Sequence, residues 1–281
     1  MVSEEEKRWI VVGIIMYKVA APVLRDFVKQ GMDTHYTNLD AYCNGLTTPG
    51  TLKTLTYHQV NTDPILRHLK FQNVNNNFLL HGRSKQRYNH NINTPVDLAK
   101  LYLPDYLAEF SAFDESLDMT AILHLLGSIK PAAIFHSPNP FISIQFLADD
   151  VRENVRNQWG HFDITKWSDA FFTDCVQKLQ ALVKSLGLTA DAEKKTLDEL
   201  DDWYRKGTPS YDKFICSIGS FTIEAFLSNV NQHWLMHRRP KLKIKENVRN
   251  CLTAHLKVLH GYSKILIVNN LPIIVLLFAC M

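Results

Sequence analysis

The chain is 281 residues long, enough for one large domain or a main domain with an appendage. Its hydrophobic fraction of 46% is ordinary for a soluble globular protein, and a net charge of +3 falls far short of a dedicated nucleic-acid binder. Five cysteines, at 43, 175, 216, 251 and 280, form no CxxC pair; their odd number and the lack of an evident secretory signal argue against a disulfide scaffold and for reduced thiols in a cytoplasmic, intracellular protein.

Ser3-Glu4-Glu5-Glu6 reads as a helix start, with Ser3 as cap and Glu6 closing a capping box. The helix continues through Trp9 to Val12 and Ile14 to Met16, apolar on several faces and therefore buried. The acidic residues stand where a signal peptide would carry positive charge. Pro22 is expected to kink this helix or open a second piece over 23–28, ending near Gly31. Residues 33–95 are rich in Asn, Thr, His, Gly and Pro and read as a polar, loop-rich insert with short helical pieces near 50–57 and 64–71. Arg83, Lys85 and Arg87, with Tyr88 and His90, can contact RNA phosphates; a solvated loop is the plainer reading.

Thr94-Pro95 opens the next helix, with Asp97 in its first turn and Leu98, Leu101 and Tyr102 on one face. Pro104 ends it. Ser116 is expected to cap a helix carrying Leu117, Ile122, Leu125 and Leu126, and 130–140, with three prolines, to form a rigid connection. A helix follows with Leu147, Val151 and Val155 in a four-residue step along one face. Arg156 lies beside that stripe, Gly160 is a candidate helix stop, and His161 falls at the break. Asp163 is expected to cap a long helix with the stripe Trp167, Phe171, Cys175, Leu179, Leu182 and Leu186, terminated by Gly187. A charged helix over 191–206 follows, with one narrow stripe of Leu197, Leu200, Trp203 and Tyr204. No alternating strand pattern of useful length precedes residue 240. The fold class is therefore all-α, a bundle of roughly five or six helices over 1–207, with a C-terminal helical extension over 208–281.

In that extension His233 and His237 stand at i, i+4, a zinc-compatible spacing. Residue 234 is Trp where a zinc-protease helix would carry its Glu base, and no third ligand is indicated, so no metal and no other cofactor is expected. Residues 238–245 hold five basic side chains and read as a nuclear-import or phosphate-binding stretch, or as a solvated linker. Residues 265–281 are apolar but for Asn269 and Asn270. That length is the bottom of the range for a membrane span, leaving a membrane anchor and a buried terminal segment as alternatives.

Arginine followed closely by histidine suits phosphate chemistry: the guanidinium grips phosphate oxygens, and the imidazole moves a proton near neutral pH. With four to six residues between the two, the chain contains three such pairs, Arg83–His90, Arg156–His161 and Arg249–His255. About one is expected by chance, so spacing alone selects none of them. The flanking residues do. Arg156-Asn157-Gln158-Trp159-Gly160-His161-Phe162-Asp163, followed by Trp167 and the helix to Leu186-Gly187-Leu188, resembles a HEPN domain (higher eukaryotes and prokaryotes nucleotide-binding), in the subtype named after the DAZ-interacting zinc-finger ubiquitin ligase. Ala21-Pro22-Val23-Leu24-Arg25, Leu117-Asp118-Met119-Thr120 and Leu197-Asp198-Glu199-Leu200-Asp201-Asp202-Trp203 extend the resemblance over about residues 8 to 207.

The resemblance implies a helical bundle that dimerises with its Arg–His motifs at the interface. It also implies a metal-independent endoribonuclease acting on single-stranded RNA. His161 would serve as general acid or base at the ribose 2′-hydroxyl, Arg156 would stabilise charge on the scissile phosphate, and Asn157 would orient one of them. It equally allows a non-catalytic dimerisation or adaptor module in stress, innate-immune or ubiquitin signalling. No RING-like cysteine–histidine pattern and no GKS or GKT loop is present.

Overall fold

The computed structural model describes residues 3–46, 50–128, 134–135, 137–161 and 163–206. All of them belong to the first of the two units into which the chain divides, Ser3–Ser217; the other joins Met1–Val2 to Ile218–Met281. The His233–His237 pair, the basic stretch 238–245, the Arg249–His255 pair and the apolar run 265–281 lie outside the described residues. The membrane-anchor expectation is corrected: among the described residues no helix is long and apolar enough to cross a membrane.

The described chain is all-α and contains no strand. Helix α1 (Glu4–Ile14) begins as its sequence dictates. The Ser3 hydroxyl accepts from the Glu6 amide, and the Glu6 carboxylate accepts from the Ser3 amide at 2.8 Å. Two of the four orphan amides of a helix start are thereby satisfied. The helix continues without a break through a π-helical segment, Ile15–Ala20, into α2 (Ala21–Asn44). Pro22 explains the wide turn. It has no N–H, and its ring would press on the carbonyl four residues back, so the backbone opens to longer-range bonding just before it; Ala21 donates to the Met16 carbonyl, five residues back. Gly31 does not end the helix. It lies against the Phe135 ring, where a Cβ would collide, so this glycine serves close packing. Val11, Val12, Ile15, Met16, Ala20, Ala21, Leu24, Val28 and Met32 are fully buried.

Beyond Gly50, short turns replace long helices: α3 (Tyr57–Thr62), α4 (Asn77–His81) and several 3₁₀ turns. This lobe has its own core of Leu52, Leu55, Val60, Leu66, Phe71, Val74 and Ile92. It is ordered by polar side chains as much as by apolar ones. Thr56 and Gln59 form a capping box, and the Asp63 carboxylate accepts from the amides of Ile65 and Leu66 at 2.8 Å each. Helix α5 (Pro95–Lys100) opens at Thr94-Pro95 as expected, and there Thr94 and Asp97 form a capping box.

Helix α6 (Met119–Ser128) takes its N-terminal side-chain bond from Asp118, which accepts from the Ala121 amide at 2.7 Å; Ser116 instead bonds Asp114. Helix α7 (Ile144–Asp150) runs through a second π-helical segment, Val151–Arg156, into α8 (Asn157–His161). Asp163 starts a 3₁₀ turn, and the cap of α9 (Asp169–Ser185) is Ser168, whose hydroxyl accepts from the Phe171 amide. The sequence reading thus placed two caps a few residues early, because several local acceptors compete near each start. Trp167, Cys175, Leu179, Leu182 and Leu186 are buried as the stripe predicts, with Phe172 in place of Phe171. Gly187 ends α9 in the left-handed region, φ 66°. Helix α10 (Ala190–Lys206) packs on α9 and on the first π segment, burying Thr196 and Leu200 along its narrow stripe.

Candidate functional site

The motif helix is fixed by a pair of tryptophans. Trp9 of α1 and Trp159 of α8 stack with ring centroids 5.4 Å apart and planes 10° from parallel. Each indole N–H donates to the other residue's carbonyl, Trp9 to Trp159 at 2.9 Å and Trp159 to Trp9 at 3.0 Å. A helix end leaves its last carbonyls without intrahelical donors, and the Trp9 indole supplies one. The π segment sets the azimuth of what lies between. Asn157 donates to Arg152, five residues back, and the wide turn keeps Ile144, Ala148, Val151, Val155 and Trp159 all in the core. Arg156 and Asn157 therefore flank the buried face.

Arg156 is half-buried. Its Nη1 donates to Asn157 Oδ1 at 3.2 Å, and its buried Nε has no partner among the described residues. His161, the last residue of α8, is exposed. Its side chain makes no hydrogen bond, ion pair or ring contact with another described residue. The structure thus brings Arg156, at the end of the π segment, into contact with Asn157 and leaves His161 exposed at the far end of α8. Gly160 lies inside α8; a Cβ there would sit 3.8 Å from Arg156 Nη1.

Behind Arg156 is a polar cluster. The Tyr17 ring lies 5.6 Å from Trp159, and burial pushes its hydroxyl pKa up to about 12; the negative charge of Asp118 adds to the rise, while Arg156 and Arg25 oppose it. Arg25 donates from Nε to the Leu117 carbonyl at 2.9 Å, and its pKa is lowered by burial against the opposing charges of Glu115, Asp114 and Asp118. Segments 21–25, 117–120 and 155–161, which carry the resemblance, therefore converge around Tyr17.

One turn earlier on the same element is an arginine–histidine contact that spacing rules miss. Arg152 Nη1 lies 3.3 Å from His124 Nδ1 of α6, and Arg152 also pairs with Asp149 at 2.9 Å and Glu153 at 3.5 Å. Burial lowers the His124 pKa, as do Arg152 and Lys70, with Asp149 opposing. The two residues are 28 apart in sequence; the only local signal is a histidine within the leucine-rich 122–126 run. Asp150 is held by Lys178 of α9 at 2.8 Å and by Asn154 at 2.6 Å, tying the motif element to the long helix.

The Arg83–His90 pair is taken apart by the fold. Arg83 is exposed, whereas His90 is 4% exposed, with its ring 4.9 Å from Phe71 and 5.9 Å from Tyr57. Cys43 and Cys175 are free and buried, and burial raises their thiol pKa values to about 11 and about 12, which makes them poor nucleophiles. Among the described residues no group of three or more His, Cys, Asp or Glu could hold a metal ion. No family model matches the chain, and neither a curated protein nor a solved structure matches it.

Proposed function

We propose that the chain is a HEPN-type RNA-binding module that cleaves single-stranded RNA without a metal, with Arg156, Asn157 and His161 as its working residues. The observation that supports this reading is a half-buried guanidinium just before α8, its Nε without a partner among the described residues, and an exposed imidazole at the end of that short, clamped helix. RNA brings its own nucleophile. The ribose 2′-hydroxyl attacks the adjacent phosphorus, the bond to the 5′-oxygen breaks, and a 2′,3′-cyclic phosphate is left. His161 takes the proton from the 2′-hydroxyl or gives one to the departing oxygen. Arg156 carries the charge that builds on the phosphoryl oxygens, and Asn157 fixes the guanidinium from one side. Two such motifs facing each other in a homodimer would supply both a base and an acid.

The test is cleavage of single-stranded RNA by the full-length chain in chelator, beside His161→Ala and Arg156→Ala. His161→Ala is expected to lower the rate roughly 10²- to 10⁴-fold; unchanged cleavage in that variant would sink the reading. A second reading, a non-catalytic dimerisation or adaptor module for signalling or ubiquitin-pathway partners, is favoured by Phe141, Ile142 and Phe146, which are 95, 38 and 71% exposed just before and within the first turn of α7. Self-association by light scattering, with no RNA cleavage, would select it.

A further inference from the structure

Residues 64–96 contain no aspartate or glutamate, yet they include Arg67, Lys70, Arg83, Lys85 and Arg87. Those five cations exceed the net charge of the whole chain, +3, so the remainder is net negative. Within this acid-free stretch stands α4, whose Phe78, Leu79 and Leu80 are 57, 83 and 66% exposed. A lone exposed apolar side chain needs no explanation, but three in succession on a firmly held turn do.

The turn is held from below. Asn75 and Asn76 adopt left-handed backbone, φ 54° and 55°, a conformation that a side-chain-bearing residue rarely holds unless its surroundings enforce it. The enforcement comes from Asn77, which is fully buried. It donates to the Phe71 and Asn89 carbonyls and accepts from the Asn89 amide, each at 2.8 Å. Asn75 adds bonds to the carbonyls of Asn89 and Asn91. The following loop folds back on the helix: the Ser84 amide donates to the His81 carbonyl, and the Tyr88 hydroxyl to the Gly82 carbonyl. The exposed Arg83, Lys85 and Arg87 are thus gathered beside the apolar tip.

The shape of the tip selects its partner. Three consecutive helical positions fan over about 200° of the circumference, forming a wedge and not a stripe. A protein groove takes a stripe at i, i+3 and i+4. Single-stranded nucleic acid rewards flat π-faces, which the two leucines of the tip lack, Leu79 being its most exposed residue. A bilayer surface accepts an apolar wedge of any azimuth and offers anionic headgroups to the cations around it. We propose that α4 and residues 83–87 dock the protein on an anionic lipid surface, with Phe78, Leu79 and Leu80 entering below the headgroups and Arg83, Lys85 and Arg87 contacting them. This is attachment to one leaflet, not a span, and it does not depend on the chemistry assigned to Arg156 and His161.

The full-length chain is tested by co-sedimentation with mixed phosphatidylserine–phosphatidylcholine vesicles and with phosphatidylcholine vesicles alone. Binding is expected to the mixed vesicles, falling as salt is raised. The double variant Leu79→Ser/Leu80→Ser and the triple variant Arg83→Gln/Lys85→Gln/Arg87→Gln should each weaken it more than about tenfold. All five side chains are exposed, and an unchanged helical circular-dichroism signal confirms that the variants fold. The proposal is overturned if the chain ignores mixed vesicles or if neither variant changes its partitioning. Binding to single-stranded RNA that needs the three cations, with no vesicle binding, overturns it as well.

Discussion

The helical frame around Trp9 and Trp159 and the lobe around Asn77 are both well ordered, by opposite means. In the frame, apolar burial decides position: Val151, Val155 and Trp159 reach the core because the π turn gives them the right azimuth, and polar contacts follow. In the lobe, polar side chains decide position. Asn77, Asp63 and Asn75 bond backbone groups of turns too short to satisfy themselves, and apolar residues fill in around them. A frame of the first kind aims a rigid element from a distance. A lobe of the second kind can keep its apolar residues on the outside, because it does not need all of them for its core.

The sharpest way to break this contrast is Trp159→Ala. It removes a side chain that is 3% exposed, its stacking and one arm of the reciprocal bond pair, and should cost about 3–5 kcal/mol in denaturant unfolding. Trp159→Phe keeps most of the burial and loses the indole donor, so about 1 kcal/mol is expected. A loss for Trp159→Phe as large as for Trp159→Ala would mean that polar contacts, not burial, hold the frame. Next in size is Asn77→Ala, which strands the Phe71 and Asn89 carbonyls and the Asn89 amide, at about 1–3 kcal/mol. Its hydrogen exchange should quicken at residues 75–91 and stay unchanged along α1; acceleration in both places would erase the distinction between frame and lobe.

The smallest effect is on pH dependence. His90 in the lobe and His35 and His124 in the frame all have pKa values lowered, first of all by burial. A folded-state pKa below the unfolded value of about 6.5 means that the unfolded chain binds the proton more readily. The stability these neutral rings provide is complete above that value and is lost as pH falls through their folded pKa values. The melting temperature should therefore drop on acidification below about pH 6.5, and His90→Gln should flatten the part of the slope that belongs to the lobe. A melting temperature that holds steady over this range would show that protonating these rings does not disturb the fold.

The same contrast explains what could be read from the sequence. The capping box at Ser3–Glu6 and the helix start at Thr94-Pro95 are legible because every partner lies within three residues. The all-α class and the buried faces of α1 and α9 follow from periodicity. Gly31 misled because its role, contact with Phe135, comes from a segment a hundred residues away. The lobe looked like loop because its ordering residues, Asn and Thr, are also those of unstructured turns. At the candidate site, the identities of Arg156, Asn157 and His161 were visible, but not the charged groups that share Tyr17 with Arg156. Tyr17, Arg25 and Asp118 come from the first π segment, α2 and the turn before α6, and the Arg152–His124 contact joins segments no spacing rule connects.

The tryptophan clamp also bears on the order in which the protein matures. Its partners are separated by 150 positions, so the closure of a very long loop must precede it. During synthesis α1 emerges early and waits, its apolar faces uncovered, until the segment holding Trp159 has been made. Trp9 therefore cannot clamp the arginine–histidine turn until the segment holding Trp159 has been made, and closing that long loop is what finishes the site.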